Sequence, residues 1–235
     1  ICLPTPMNND GSQDIRLVED TVKKIREFDQ NLLIVVKSTI LPKFVDSILS
    51  KSKNLVINPE FLRENFANED FINSGIIIFG GDEENCKKLS NFYTNCTNCI
   101  CREYVITDGI TASLVKYTIN SFLALKVVFF NEMKPIFDNL NSRDKWSDFI
   151  SALSKDKRMG DSHMSVPGPD GRYGFGGPCF PKDVNALINF SKEIGSELSL
   201  LNKANTINNN LRAQYNDVTA REKEQNINFF SDKEE

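Results

Sequence analysis

The sequence carries one histidine, His163, and neither a Gly-x-Gly-x-x-Gly run nor a Gly-x-x-x-x-Gly-Lys-Ser/Thr loop. The two commonest phosphate-cradling loops are therefore missing. Cys96, Cys99 and Cys101 form Cys-x-x-Cys-x-Cys, but zinc needs four ligands and no second set is near, so no metal is expected. No basic block points to nucleic acid as a partner. No apolar run reaches membrane-spanning length and no signal peptide opens the chain, so a membrane partner is not expected. Six cysteines in 235 residues fall short of a disulfide scaffold, which suits a reducing cytoplasm.

What is present has the proportions of an ordinary globular protein: 40% hydrophobic, 26% charged, net charge −4. The length allows one large domain or two small ones. The chain opens at Ile1, in the apolar run Ile1-Cys2-Leu3, and closes on the charged stretch 221–235. Both ends are expected to be cuts through a longer protein, and 221–235 a tail with no core element.

Residues 1–108 alternate strand and helix. Ile1 to Pro4 reads as a strand end. Asp14 is placed to cap a helix reaching Phe28, with Ile15, Val18, Val22 and Ile25 on one face. Leu32–Val36 and Leu55–Ile57 are apolar runs suited to strands buried on both faces. Pro42 opens a helix to about Lys51. Gly75–Phe79 reads as a strand closed by a Gly80-Gly81 turn, followed by a helix over 83–93 and a strand over 104–106. Repeated strand–helix–strand units imply a parallel sheet flanked by helices. Ligands of such sheets sit beyond the C-terminal strand ends.

After Thr107 the pattern is helical. Leu114, Tyr117, Phe122, Leu125, Phe129, Met133 and Ile136 suit one long, largely buried helix over 109–140. Further helices are expected over 146–154, 184–192 and 198–220. The Asn-rich stretch Asn205 to Asn216 reads as an exposed helix face. The expected organisation is 1–108, 109–220 and a tail at 221–235.

Four segments carry candidate chemistry. Gly174-Phe175-Gly176-Gly177-Pro178-Cys179-Phe180-Pro181-Lys182-Asp183 sets a thiol in a glycine-rich turn with a cation and a carboxylate close behind. That is how a nucleophilic cysteine is presented; a chance cysteine in a surface loop is the alternative. Lys37-Ser38-Thr39 lies at a strand end, as site or as helix cap. Asn58-Pro59-Glu60-Phe61-Leu62-Arg63-Glu64 offers two carboxylates, as site or as an acidic helix start. Lys116 and Asn120 are spaced i, i+4 and share a helix face. That face is suited to an oxyanion or water, or is simply solvated.

Taken together, these segments resemble the UDP-glucose/GDP-mannose dehydrogenase family. The matching pieces are Thr5-Pro6, Val36 to Thr39, Asn58 to Glu64, Leu114 to Tyr117, Asn120 to Ala124, Asn131-Glu132, Arg158-Met159-Gly160 and 174–183, in the family's order over about 1–212. Ser162-His163-Met164 and Val166 to Gly171 resemble its UDP-glucose branch. The resemblance implies an α/β fold: a partial Rossmann-like parallel sheet that is the C-terminal part of an NAD-binding domain, then an all-helical central domain that dimerises. It also implies two-step, NAD-dependent oxidation of UDP-glucose to UDP-glucuronate.

By the same resemblance Cys179 attacks the C6 aldehyde and passes through a thiohemiacetal and a thioester. Lys116 and Asn120 stabilise oxyanions, and Asp183 assists proton transfer. Glu60 or Glu64, with Thr39, handles water. Phe61, Leu62, Arg63, Gly174, Phe175 and Gly176 line the sugar-nucleotide site, and Arg158 reaches the substrate of a second subunit. Thr5, Thr39, Glu64 and Lys182 touch NAD. The family's glycine-rich first turn and its C-terminal sugar-nucleotide domain have no counterpart here, so weak NAD binding and little turnover are expected. Oxidation of GDP-mannose or a UDP-N-acetylhexosamine, or a non-catalytic dimerising remnant, are the alternatives.

Overall fold

The computed structural model describes residues 1–230, the Glu64 side chain excepted. Two compact units divide between Thr118 and Ile119. The change from strand to helix falls earlier, between Thr107 and Gly109, where the sequence pattern changes.

The first unit holds helix α1 (Arg16–Phe28), strand β1 (Ile34–Val36), α2 (Pro42–Leu49), β2 (Leu55–Ile57), α3 (Ala67–Ile72), β3 (Ile77–Gly81), α4 (Glu83–Cys96) and β4 (Tyr104–Thr107). The sheet order is β1-β2-β3-β4. Leu55 and Ile57 of β2 join one apolar cluster with Val18, Val22, Val45 and Ile48 from α1 and α2. Val56 between them joins the opposite cluster with Phe79, Cys86, Leu89 and Tyr93. Alternating side chains thus bury both faces, which is why these strands read as unbroken apolar runs. The opening residues lie along β1: the Ile1 amino group donates to the Val35 carbonyl at 2.6 Å and the Lys37 amide to the Ile1 carbonyl at 2.9 Å.

The sheet is mixed rather than wholly parallel. β1–β2 and β3–β4 are parallel, but β2 and β3 are antiparallel, with Val56 opposite Gly81. A parallel return needs a crossover that packs back on the sheet. The 58–76 link has only α3, six residues with none buried. Gly80 and Gly81 are strand residues, not the turn expected of them. A Cβ on Gly80 would lie 2.5 Å from the Ala112 Cβ and 2.8 Å from the Asp108 carbonyl. The glycine serves close packing. Asp14 is also displaced from its expected role. Ile15 occupies the cap position of α1, while Asp14 accepts the Arg16 amide and pairs with its guanidinium.

Helix α5 (Gly109–Asn139) spans 31 residues and is long and apolar enough to cross a bilayer by length and composition. That qualifies the expectation that no stretch reaches this length. Tyr117, Ala124, Val128 and Phe130 are nonetheless buried in protein, beside polar Lys116, Asn120 and Asn131. Leu114, Phe122, Phe129 and Ile136 are exposed. The helix is therefore less buried than its sequence suggests, with an apolar face that no described element covers.

The second unit continues with α6 (Trp146–Leu153), α7 (Phe180–Glu193), α8 (Ser199–Arg212) and α9 (Ala220–Glu224). Phe130, Met164 and Val166 form a core with Trp146 and Ile150 around them. Two expectations fail here. Asn205, Asn208, Asn209 and Arg212 face inward, not to solvent. The stretch after 220 is no simple tail either. Thr219 caps α9 through a capping box with Glu222, and Glu222, Ile227 and Phe229 are buried. Residues 231–235 of the expected tail lie outside the described part.

Candidate active site

In the second unit, Cys179 occupies the cap position of α7 and is exposed. Its carbonyl accepts the Asp183 amide at 2.9 Å, the first bond of the helix. Pro181 stands in the first turn, where a missing N–H has no partner to lose. A sulfur at a helix N-terminus is in the favourable field of the helix dipole. Asp183 is one turn further on, so both residues share a face.

Asp183 is 1% exposed. One carboxylate oxygen accepts from the Asn120 amide at 2.6 Å and the other from the Lys182 ammonium at 2.5 Å. Lys182 and Asn120 are themselves buried. Lys182, which the resemblance puts on the cofactor, thus has its ammonium on Asp183. Arg158 is exposed and forms a bidentate pair with Asp156.

The turn before Cys179 is held by residues that the sequence reading did not assign. The Asn131 side-chain oxygen accepts the Gly174 amide at 3.0 Å. Asn208 accepts the Phe175 amide at 2.6 Å and donates to the Phe175 carbonyl at 3.0 Å. Gly174 has φ +76°, and a Cβ there would lie 2.6 Å from the Asn208 oxygen. Only glycine fits so near an amide at that backbone angle.

In the first unit, buried Lys116 places its ammonium 3.9 Å from Glu60 and 5.2 Å from the Phe61 ring centroid. Glu60 accepts the Leu62 amide at 2.5 Å, which shapes the turn. Arg63 is exposed, forms a bidentate pair with Asp70 and lies over the Phe66 ring. That guanidinium holds the Asp70 carboxyl down at about 2. Glu64 begins a short 3₁₀ turn, and the roles expected of its side chain lie outside the described part.

Buried Thr5 donates to the Thr39 carbonyl at 2.9 Å. The organiser here is Gln13, which belongs to none of the motifs above. Its amide reaches the Thr39 carbonyl (2.7 Å), the Thr5 hydroxyl (3.2 Å) and the Tyr117 hydroxyl (3.0 Å), and its oxygen accepts the Leu41 amide. Lys37 lies on the Asn58 oxygen and the Tyr93 hydroxyl. Burial lowers the Lys37 ammonium's pKa and pushes Tyr93 up to about 12. A lone glutamine in a polar stretch gives no periodic signal, so nothing in the sequence marks Gln13.

Comparison with known proteins identifies the family. Residues 1–97 match the NAD binding domain of the UDP-glucose/GDP-mannose dehydrogenase family, and residues 110–210 match its central domain. The UDP-glucose 6-dehydrogenase of Rickettsia felis is 36% identical over 197 residues, 80% of this chain and 42% of the relative. The UDP-glucose dehydrogenase of Pyrobaculum islandicum superposes with a TM-score of 0.75 at 33% identity, covering 88% of this chain and 49% of that one. A Pyrococcus horikoshii UDP-D-ManNAc dehydrogenase shares the fold, with a TM-score of 0.71 at 21% identity. The chain therefore spans about half the length of the relatives it matches. It belongs to the UDP-glucose/GDP-mannose dehydrogenase family.

Proposed function

We propose that this chain carries the covalent-catalysis part of an NAD-dependent nucleotide-sugar dehydrogenase acting on UDP-glucose. The observation that supports this reading most directly is Cys179 at the head of α7, with buried Asp183 one turn behind it.

Thr39 is half-buried just past the C-terminal end of β1, where ligands of α/β sheets bind. Its position and chemistry, with Thr5 beside it, fit the edge of a dinucleotide. No described glycine-rich strand-to-helix turn is available to hold the pyrophosphate, so NAD is held weakly by this chain alone. NAD⁺, when bound, accepts the hydride that each oxidation releases.

The remaining steps fall to the protein. Cys179 adds through sulfur to the C6 aldehyde, giving a thiohemiacetal oxyanion. Loss of hydride from C6 leaves a thioester. Water attacks the thioester carbon, the C–S bond breaks, and a carboxylate leaves with the thiol restored. Asn120 has a second amide hydrogen beyond the one on Asp183 and can donate to an oxyanion. Lys116 is the cation that the family resemblance assigns to oxyanion stabilisation. Asp183 accepts and returns the proton of the attacking water. Glu60 keeps the Phe61-Leu62 backbone turned for the sugar nucleotide.

The same reading gives the exposed face of α5 a partner. A groove of ≈ 530 Å³ is lined by Phe122, Phe129, Leu200 and Ile207, with Arg158 beside them. A second copy of the chain seated there would cover this apolar surface. It would also meet Arg158, the residue assigned to a neighbour's substrate. Sedimentation should show a dimer that Phe129→Asp converts to monomer.

The catalytic reading is tested by alkylating the chain with iodoacetamide near neutral pH and following each cysteine by mass spectrometry. Cys179 should react about tenfold faster than the likewise exposed Cys2 and Cys96. Equal rates would favour a non-catalytic dimerising remnant. With NAD⁺ and UDP-glucose, GDP-mannose or UDP-N-acetylglucosamine, this chain should form little NADH. Steady NADH formation abolished by Cys179→Ala would overturn the weak-cofactor part of the reading.

A further inference from the structure

Glu222 lies in α9, outside every motif matched above, yet its side chain is fully buried. One carboxylate oxygen accepts from the Arg212 guanidinium at 2.9 Å and from the Gly177 backbone amide at 2.9 Å. The other accepts the Thr219 amide at 2.6 Å, closing the capping box of α9. Arg212, 1% exposed, also binds Asp170 at 2.7 Å. A buried carboxylate is normally retained only when every lone pair is used, and here one of those partners is two residues from Cys179.

The neighbouring sequence fits this contact. Gly177 has φ +77°, so its amide can turn toward Glu222 where an L side chain would be strained. Gly176 leaves no room for a Cβ, which would collide with the Arg212 guanidinium and lie 2.6 Å from the Glu222 carboxylate. Asn131 and Asn208 hold the turn at Gly174 and Phe175. Glu222 holds it at Gly177, the last of these anchors before the thiol.

We propose that Glu222 is a positioning residue for Cys179. Braced by Arg212 and Thr219, it fixes the Gly177 amide and so sets where α7 begins beneath the thiol. The proposal rests on the reading of Cys179 as the nucleophile.

The test is iodoacetamide alkylation of Cys179 in the whole chain, with Cys2 and Cys96 as internal references. Hydrogen exchange of the peptide spanning 174–180 is followed in parallel. Glu222→Ala should slow Cys179 about tenfold relative to those references and raise exchange at 174–180. Glu222→Gln keeps a carbonyl acceptor for Gly177 and should stay within about threefold of the parent, a rescue that bulk packing would not produce.

If Glu222→Ala does not fold, the double variant Arg212→Met/Glu222→Met replaces the buried pair with apolar volume, a change proteins often tolerate. It should fold and still show the slow Cys179. An unchanged Cys179 rate in a folded Glu222→Ala or double variant overturns the proposal and leaves the nucleophile reading standing. A parent Cys179 no faster than Cys2 and Cys96 overturns both.

Discussion

The Asn120 amide donates to the Asp183 carboxylate at 2.6 Å in a buried pocket of the second unit, and the Lys182 ammonium meets the other oxygen at 2.5 Å. The three form one polar unit in which no member can be removed without leaving another exposed to a low dielectric. Asp183→Ala should therefore cost more than its contacts suggest, because Lys182 would remain charged and unpaired. We expect a loss of about 3–5 kcal/mol for Asp183→Ala. Asn120→Ala should lose about 1–2 kcal/mol, since the ion pair survives it. Urea unfolding of the chain would rank them, and equal losses would refute the three-residue unit.

Gly80 gives a sharper steric case. A methyl group there meets the Ala112 Cβ, the Asp108 carbonyl and the Gly109 Cα, all within 2.9 Å. Two of these are backbone atoms and cannot rotate away. Gly80→Ala should destabilise the first unit by about 1–3 kcal/mol, typical of overpacking. Gly75→Ala, with nothing near its Cβ position, is the control and should change the urea midpoint little.

These two cases also mark what the sequence could reveal. Leu55–Ile57 was legible because both faces of β2 are buried and no polar residue interrupts it. Pro42 was legible because proline tolerates a helix start and little else. The glycine-cysteine turn stood out because glycine, proline and cysteine are each rarely interchangeable. The Gly80-Gly81 pair misled because the same residue serves a turn and a close approach, and only the third dimension separates them. Asn205, Asn208, Asn209 and Arg212 misled through chemistry rather than spacing. Their i, i+3, i+4, i+7 pattern is that of an inward helix face, but polar side chains are rarely buried without partners, and those partners lie far off in sequence. Asn208 bonds to Phe175, 33 residues away. The antiparallel β2–β3 pairing was hidden for a similar reason, since it depends on whether α3 packs against the sheet.

Gln13 joins α1's leading loop to Thr39 and Tyr117, and its loss should show the worth of that junction. Gln13→Leu keeps the volume but orphans the buried Leu41 amide, while the Thr39 carbonyl keeps the Thr5 hydroxyl. Each unsatisfied buried group costs about 1–3 kcal/mol. We expect a loss of about 1–3 kcal/mol in the first unit, read by urea unfolding, with Gln13→Glu no milder because it turns a buried carboxylate oxygen on the Thr39 carbonyl. A Gln13→Leu chain as stable as the parent would mean that solvent replaces these bonds.

Glu222 makes the stability of the second unit depend on pH with a definite sign. Burial pushes its carboxyl upward, but hydrogen bonds from Thr219 and Gly177 and the Arg212 guanidinium outweigh burial, so its folded value lies below the ordinary 4.5. A carboxyl depressed on folding contributes stability that is complete above its unfolded value and is lost as pH falls through the folded one. Between neutral pH and about pH 5 the contribution should stay constant. Below 4.5 it should decline, because protonating Glu222 removes the negative charge facing Arg212 and weakens the acceptor of Gly177 and Thr219, while Asp170 stays on Arg212. Thermal unfolding of the parent and of Glu222→Gln, which leaves Arg212 on Asp170, from pH 7 to pH 3 would isolate this contribution. The difference between the two curves should be flat above pH 5 and shrink below 4.5. A difference that grew on acidification would mean that folding raises the Glu222 carboxyl instead of lowering it.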